Sequence, residues 1–201
     1  MIPLVAIRHA PTEWNREKRL QGRTDIPLGP AGEAVARNWV LPADWRGYRV
    51  VSSPLRRARR TAEILFPDRE IVTDERLLEI AFGDWEGKVL SELRDLPGGD
   101  AKARESLGLD FTAPGGETPR AVQERLRPLL AEIATARQPT IAVAHKAVIR
   151  AIFSMATGWQ MLGKPPVKLK DATAHLFVLD EAGHPSIGRL NVALAPESVK
   201  S

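Results

Sequence analysis

Residues 4–9 read LVAIRH, four β-favouring apolar residues followed at once by two basic ones. Short apolar runs of this kind are typical of buried strands. Pro3 cannot donate to a strand ladder, so we expect it at or before the start of this strand. Residues 48–51 and 140–144 form similar runs, and each is followed directly by polar residues. The sequence thus predicts three strands that deliver polar side chains at their carboxyl ends.

Helical patterns alternate with these strands along the chain. Gly29-Pro30 precedes one helix, Ser53-Pro54 opens another, and turn-forming residues at 181–183 separate the last two apolar runs. Such alternation is typical of a mainly parallel sheet with helices on both faces, because each crossover places a helix over the sheet. We therefore predict an α/β fold, a three-layer α/β/α sandwich. The further predicted elements are helices at 31–40, 118–136 and 146–157 and strands at 70–73, 174–179 and 186–192.

The composition is that of one ordinary globular domain. With 201 residues, of which 43% are hydrophobic and 27% charged, the chain is long enough for a sizeable core. We predict a single domain over residues 1–201, with an excursion at about 87–117 that covers the candidate site. No apolar run approaches the roughly 20 residues that cross a bilayer. The first residues also lack the form of a secretory signal, so we expect a cytoplasmic protein without a membrane partner.

Cysteine is absent, which excludes disulfides, thiolate zinc sites, iron–sulfur clusters and thiol nucleophiles. The net charge is +4 and the basic residues are mostly arginine, which favours bidentate recognition of phosphate or carboxylate. The densest arginine cluster, at residues 56–60, lacks the interleaved aromatic residues that stack on bases. We interpret it as a solvated helix face with one or two functional members, so the expected partner is a small anion and not a nucleic acid.

Three predicted strands end in residues that suit chemistry on an anion. The first ends in Arg8-His9, the second in Ser52-Ser53 and the arginine cluster, and the strand at 140–144 ends in His145. Parallel strands bring their carboxyl ends to one crevice, so these side chains are expected to converge. In phosphoryl transfer, a neutral imidazole can attack phosphorus while arginines and a second histidine hold the charge on the oxygens.

Other chemistries fit the same residues less well. Neither histidine has a ligand at helical spacing, no His-Glu-x-x-His is present, and arginines would repel a divalent cation, so we expect no metal and no cofactor. The glycine pairs at 98–99 and 115–116 lack the spacing and the lysine of a phosphate-binding loop. A Gly-x-Ser-x-Gly nucleophile elbow is also missing, which leaves Ser52 and Ser53 as weak candidates.

Six motifs extend over nearly the whole chain. They are LVAIRHAPTEWN at 4–15, QGRTDIPL at 21–28 with Gly32 after it, SSPLRRARRTA at 52–62, LLE at 77–79 followed by FGDWEG at 82–87, GGET at 115–118 and VAH at 143–145. Each motif alone is weak, but all of them in this order are specific. Together they resemble the histidine phosphatase superfamily, in its phosphoglycerate mutase-like branch. The resemblance implies a phosphoglycerate mutase-like fold.

The resemblance also implies a role for each matching residue. His9 is implied to be the nucleophile that takes the phosphoryl group as a phosphohistidine, which water then hydrolyses. Glu79 is implied to protonate the leaving alkoxide and then to activate water, although its local sequence alone fits a surface glutamate equally well. Three residues are implied to hold the phosphate and to stabilise its charge during transfer: Arg8, Arg57 and His145. Three more are implied to line the phosphate site: Asn15, Gln21 and Gly22. The rest of the arginine cluster, Arg56, Arg59 and Arg60, is left with surface or rim roles.

These roles require unusual protonation states. Nearby guanidinium groups are expected to lower the pKa of His9, which keeps the attacking nitrogen unprotonated. Glu79 must instead hold a proton near neutral pH, which requires desolvation or the negative charge of a bound phosphate.

The chain departs from the family pattern after both histidines. Ala10 stands where the family usually has glycine, and its methyl group would clash if that backbone needs a positive φ. Lys146 and Ala147 stand where the family usually has two glycines, so a flexible cation lies at the start of the next helix. Lys146 either contacts the substrate or points to solvent, and the sequence leaves both open.

The leading hypothesis is a metal-independent phosphomonoesterase acting on a small soluble phosphate ester. A phosphoglycerate mutase is the alternative within the family. Mutases that resemble this pattern carry an extended tail and, after the Glu79 motif, a longer insertion than the segment between Gly87 and Glu117 here. A shorter cover over the site favours hydrolysis. A phosphate-binding protein that has lost turnover is the third hypothesis, and it rests on Ala10 and Lys146. The substrate stays open among sugar phosphates, nucleotide-derived phosphates and α-ribazole phosphate. The sequence does not determine the oligomeric state.

Overall fold

The computed structural model describes residues 1–96 and 101–194, and six strands within these ranges form one sheet. The strands are β1 (Ile2–Arg8), β2 (Arg49–Ser52), β3 (Val72–Thr73), β4 (Thr140–Ala144), β5 (Thr173–Leu179) and β6 (Pro185–Ala193). Their order across the sheet is β3-β2-β4-β1-β5-β6. The β1–β4, β2–β4 and β2–β3 pairs are parallel, whereas β5 is antiparallel to both β1 and β6. The predicted mainly parallel sheet, with a hairpin made by the last two strands, is confirmed.

Seven helices connect these strands in the described part of the chain. They are α1 (Glu13–Arg16), α2 (Gly29–Arg37), α3 (Arg56–Leu65), α4 (Leu90–Asp95), α5 (Ala101–Glu105), α6 (Pro119–Ala136) and α7 (Lys146–Thr157). Short 3₁₀ turns lie at Ala43–Trp45, Glu75–Leu77, Gly83–Trp85 and Gly108–Asp110. No helix of the described residues is long and apolar enough to cross a membrane.

The central strand β1 is apolar on both sides because helices cover both faces of the sheet. Leu4 and Ala6 pack into a core cluster with residues of α6 and α7, such as Leu126. Val5 and Ile7 alternate with them and pack into a second cluster that includes residues of α2 and α3. The period-2 alternation of a strand thus distributes one run between two cores, and the predicted three-layer sandwich is confirmed.

Some predicted boundaries were wrong by a few residues. Pro3 lies inside β1 and not before it, but the register of β1 with β4 begins only at Leu4. The helix predicted at 31–40 runs from Gly29 to Arg37, because Pro30 fits the first turn of a helix, where its missing N–H is not needed. Helix α3 begins at Arg56, two residues after Pro54, and the strand predicted at 70–73 is limited to Val72–Thr73.

Residues 87–96 and 101–117 contain α4, α5 and the turn Gly108–Asp110, and residues 97–100 lie outside the described chain. Their small core includes Trp85, Leu93 and Ala101. The N–H of Leu109 donates to Gln160 O at 3.0 Å, which ties this segment to the loop after α7. The segment therefore lies along the edge of the cleft described next.

Candidate active site

The two histidines lie side by side at the carboxyl edge of the sheet. β1 ends at Arg8, and the N–H of the following His9 donates to Ala144 O at 2.9 Å. β4 ends at Ala144 and is followed by His145. The imidazole rings of His9 and His145 are 5.2 Å apart between centroids. Because β1 and β4 are parallel neighbours in register, strand pairing itself brings the two rings together.

The hydrogen bond of His9 fixes which ring nitrogen carries the proton. Its Nδ1 lies 2.7 Å from Ala10 O, and a carbonyl oxygen can only accept, so Nδ1 carries the proton. The lone pair is therefore on Nε2. His9 is only 5% exposed, and burial, followed by the charges of Arg8 and Arg57, lowers its pKa well below the usual 6.5. The ring is therefore neutral near pH 7.

Ala10 fits its site without strain. The residue is fully buried, and its N–H donates to Thr61 Oγ1 at 3.0 Å. Ala10 is not among the residues with positive φ, so glycine is not required there. The clash considered for this methyl group does not occur.

Arg57 is fully buried and is held by two backbone carbonyls. Its Nη1 donates to Thr24 O at 2.9 Å and its Nη2 to Gly22 O at 2.7 Å. The loop that supplies these carbonyls is fixed by Glu86, whose carboxylate accepts from the N–H groups of Arg23 and Thr24, each at 2.9 Å. Gly22 has a φ of +54°, and a Cβ there would lie 2.0 Å from Glu86 Oε1. Glycine is therefore needed for this loop to pass the carboxylate.

Three buried nitrogens around His9 have no hydrogen-bond partner within the described residues: Nε of Arg8, Nε of Arg57 and Nδ1 of His145. Arg8 is oriented by an ion pair between its Nη1 and Asp171 Oδ1. Buried polar groups without partners are costly, and they are rare in proteins except where a ligand satisfies them. An anion with several oxygens next to His9 would satisfy these groups.

Ser53 is the hydrogen-bond partner of His145, and this contact bears on which ring nitrogen carries the proton. Nε2 of His145 lies 2.8 Å from Ser53 Oγ, which also accepts from the N–H of Leu55 at 3.3 Å. A hydroxyl has one hydrogen and two acceptor sites, so Ser53 can donate to Nε2 while it accepts from Leu55, and with that hydrogen bond His145 carries its own proton on Nδ1, the atom that lacks a partner. Desolvation by burial, followed by His9 and Arg57, lowers the pKa of His145 well below the usual value. His145 is a neutral donor in this arrangement.

The carboxyl group of Glu79 lies against the first turn of α7, the helix that follows His145. Its Oε1 accepts from the N–H of Ile80 at 3.0 Å and from the N–H of Ala147 at 3.1 Å. It is 8% exposed, and burial raises the pKa of its carboxyl group above the usual value. Burial thus favours the protonated form, while the two N–H donors oppose it.

Arg125 of α6 holds the backbone on both sides of Glu79. Its Nη2 donates to Leu78 O at 2.7 Å, and its Nε donates to Glu117 Oε1 at 2.8 Å. Glu117 in turn accepts from the N–H of Ala81 at 3.3 Å. These contacts fix the segment from which Glu79 reaches the cleft.

A sequence model of the histidine phosphatase superfamily (branch 1) matches residues 4–192. The chain belongs to this superfamily. It is an enzyme, a histidine phosphatase, and the family resemblance of its motifs is confirmed.

Relatives and solved structures agree with this assignment. The uncharacterized phosphatase PhoE of Bacillus subtilis is 34% identical over 165 residues, which cover 79% of this chain and 79% of the relative. The probable phosphoglycerate mutase GpmB of Salmonella paratyphi B is 28% identical over 179 residues, 86% of this chain and 83% of the relative. A phosphoserine phosphatase of Entamoeba histolytica, solved in complex with 3-phosphoglyceric acid, has a TM-score of 0.80 at 27% identity and covers 96% and 98% of the two chains. The predicted phosphoglycerate mutase-like fold is therefore confirmed.

The histidine phosphatase cleft has a volume of about 750 Å³ and is lined by every sequence-predicted site residue except His145, whose fully buried ring lies behind the lining against His9. Asn15 and Gln21 are tied together through Thr12, whose N–H donates to Asn15 Oδ1 and whose hydroxyl donates to Gln21 Oε1, both at 3.0 Å. Lys146 lines the cleft, and desolvation followed by Arg8 lowers its pKa. Lys146 is also exposed, so its position fits both expectations for this residue. The other arginines of the cluster at residues 56–60 do not line the cleft and are exposed: Arg56, Arg59 and Arg60.

Sequence reasoning missed three residues of this site. Glu86 belongs to the motif FGDWEG at 82–87, but only the structure shows that it anchors the loop that holds Arg57. Arg150 lies four residues after Lys146, a spacing that places both on one helix face and could have identified it. Asp171 comes from the loop at 158–172, where no pattern indicates a contact with Arg8. No group of three or more metal-ligating side chains occurs among the described residues.

Proposed function

We propose that this histidine phosphatase is a metal-independent phosphomonoesterase that works through a phosphohistidine on His9. The observation that carries the proposal is the unprotonated Nε2 of His9 amid three buried, unpartnered nitrogens. A phosphoryl group attacked by Nε2 places its oxygens among these nitrogens. The substrate is a small phosphate ester.

In the first step Nε2 of His9 forms a bond to phosphorus while the bond from phosphorus to the ester oxygen breaks. The charge on the three equatorial oxygens is stabilised by Arg8, Arg57 and Nδ1–H of His145. The leaving alkoxide takes its proton from Glu79, whose raised pKa favours the acid form. Asn15, Gln21 and the backbone at Gly22 complete the wall of the phosphate site.

In the second step water attacks the phosphohistidine. Glu79, now a carboxylate, accepts a proton from the water as its oxygen bonds to phosphorus. The nitrogen–phosphorus bond breaks, and the lone pair returns to Nε2 of His9. Inorganic phosphate leaves, and both residues regain their starting protonation states, so no metal is needed to activate the water.

Residues 87–117 are proposed to cover this site as an excursion from a single domain spanning residues 1–201. Leu90, Arg94 and Phe111 of this excursion line the cleft. The segment therefore contacts the part of the substrate beyond the phosphoryl group and contributes to selecting it.

A mutase is the second candidate, because one relative is named a probable phosphoglycerate mutase. Incubation with p-nitrophenyl phosphate in excess EDTA separates the two. Hydrolysis predicts steady release of inorganic phosphate, which His9→Gln abolishes. A mutase predicts exchange of phosphoryl groups between phosphoglycerates with little release. Failure of release and exchange alike would contradict both candidates and favour a phosphate-binding protein without turnover.

A further inference from the structure

Two cations on the first turns of α7 lack an anionic partner. Lys146 and Arg150 are four residues apart, so they lie on the same helix face. Neither makes a hydrogen bond or an ion pair within the described chain. The half-buried guanidinium of Arg150 lies instead over the ring of Trp159, 5.0 Å from its centroid. The ring contacts one face of the guanidinium and leaves its N–H groups without an acceptor.

Both cations lie where two cavities meet. A side cavity of about 190 Å³ adjoins the catalytic cleft, and the cleft and the side cavity share Arg8, Lys146, Arg150 and Asp171 as lining residues. Lys168 and Lys170 add two further cations to the side cavity. Asp171 is the one carboxylate that lines the side cavity among the described residues, and it is paired with Arg8. The junction of the two cavities is thus strongly cationic.

Arg150 is half-buried, and partial burial of an unpaired guanidinium is unfavourable unless an anion joins it, whereas Lys146 is exposed at the rim of the junction. Desolvation lowers the pKa of both Lys146 and Arg150, and the charge of Arg8 lowers that of Lys146 further, while the charges of Glu79 and Asp171 offset only part of this shift. A bound carboxylate or phosphate would relieve this repulsion and accept from the free N–H groups.

The other cations of the cleft are already engaged or lie outside the junction. Arg94 donates from Nε and Nη2 to the carboxylate of Glu105. Arg19 donates from Nη1 to Gly87 O at 2.8 Å. Lys18 lines the cleft but not the side cavity, so it does not belong to the junction. The unpartnered cations are therefore concentrated at the α7 side of the cleft and not at the excursion.

We propose that the physiological substrate carries a second anionic group, which binds Lys146 and Arg150 at this junction. The inference rests on the proposed function, because the phosphoryl group that reacts is the one at His9. It narrows the substrate to phosphate esters of hydroxy acids or to bisphosphates. Neutral sugar monophosphates fall outside this class.

Three esters with the same three-carbon skeleton test the proposal. The group opposite the phosphoryl end is a carboxylate in 3-phosphoglycerate, a phosphate in glycerol 1,3-bisphosphate and a neutral hydroxymethyl in glycerol 3-phosphate. Calorimetric titration of the His9→Gln protein measures affinity without turnover. We expect one or both anionic esters to bind at least about tenfold more tightly than glycerol 3-phosphate, the lower end for a charge-assisted hydrogen bond. The stronger of the two identifies the second group as carboxylate or phosphate.

Charge-removing variants locate the effect. Arg150→Gln and Lys146→Gln, each added to His9→Gln, are expected to reduce the affinity ratio severalfold, and Arg150→Lys to restore part of it. Arg127→Gln on the exposed face of α6 is the matched control and should keep the ratio. Because Lys146 is exposed, its variant tests the idea even if Arg150→Gln does not fold. Equal affinities for the three esters, or a ratio unchanged in both glutamine variants, would overturn the proposal. Phosphate release from p-nitrophenyl phosphate by the unaltered enzyme tests the phosphatase activity separately.

Discussion

Replacing Glu79 with glutamine removes the proton that the proposed mechanism gives to the leaving group, while keeping the shape of the side chain. Oε1 of Glu79 accepts from the N–H groups of Ile80 and Ala147, and the amide oxygen of glutamine can accept both bonds. Position and burial are thus preserved, and acid–base function is lost. General acid–base catalysis contributes about 10²–10⁴-fold, or about 2.7–5.4 kcal/mol at 1.36 kcal/mol per tenfold. We expect kcat/KM for glycerol 3-phosphate to fall by that factor.

The loss is expected to depend on the leaving group. An alkoxide needs a proton as it departs, whereas p-nitrophenolate needs little help, so kcat/KM for p-nitrophenyl phosphate should fall less than about tenfold. The assay is phosphate release from both esters by one preparation, with thermal denaturation to verify folding. Glu75→Gln, an exposed change in the preceding 3₁₀ turn, is the control and should alter neither value. Equal losses for the two esters would refute the proton-donor role of Glu79.

Arg57, Gly22 and His9 allow further tests. Arg57→Lys keeps the charge but loses the planar fork, so kcat/KM should fall about 10- to 150-fold, equivalent to about 1.5–3 kcal/mol for one charged hydrogen bond. Gly22→Ala places a Cβ 2.0 Å from Glu86 Oε1 at a φ of +54°, so thermal denaturation should show a loss of about 1–3 kcal/mol. Burial and the arginines lower the pKa of His9, so the ionisation of His9 should appear in the pH profile below pH 6.5. There kcat/KM, corrected for the ester's own ionisation, should rise with pH. Burial raises the pKa of Glu79, so for alkyl esters kcat/KM should fall again above pH 4.5. Unchanged variants, or a His9 limb above pH 6.5, would contradict these expectations.

The pair of histidines could be predicted because the elements that place them are local. The runs at 4–7 and 140–144 each specify a strand by composition, and each strand is followed directly by its histidine. Parallel pairing then brings His9 and His145 together without further information. The same reasoning predicts the arginine cluster near the site, since α3 starts just after β2, and the family resemblance then singles out Arg57 within it.

The protonation of Glu79 and the contact of Asp171 with Arg8 could not be predicted in this way. The local sequence of Glu79 fits an exposed glutamate, and its burial depends on Arg125, which is 46 residues away in the chain and belongs to α6. The position of Asp171 depends on the loop at 158–172, which is held by the contact between Leu109 and Gln160. Such contacts arise from tertiary packing of irregular segments, and these have no periodic signal in the sequence.

The central claim is that phosphorus becomes bonded to the imidazole of His9. Rapid mixing with a phosphate ester carrying radioactive phosphorus, followed by quenching in base within one turnover, measures this directly. The account predicts a label that is stable in base, is lost in acid, and lies on the peptide that contains His9. His9→Gln should carry no label and release no phosphate. Turnover without a label at His9, together with phosphate release that persists in His9→Gln, would contradict the account.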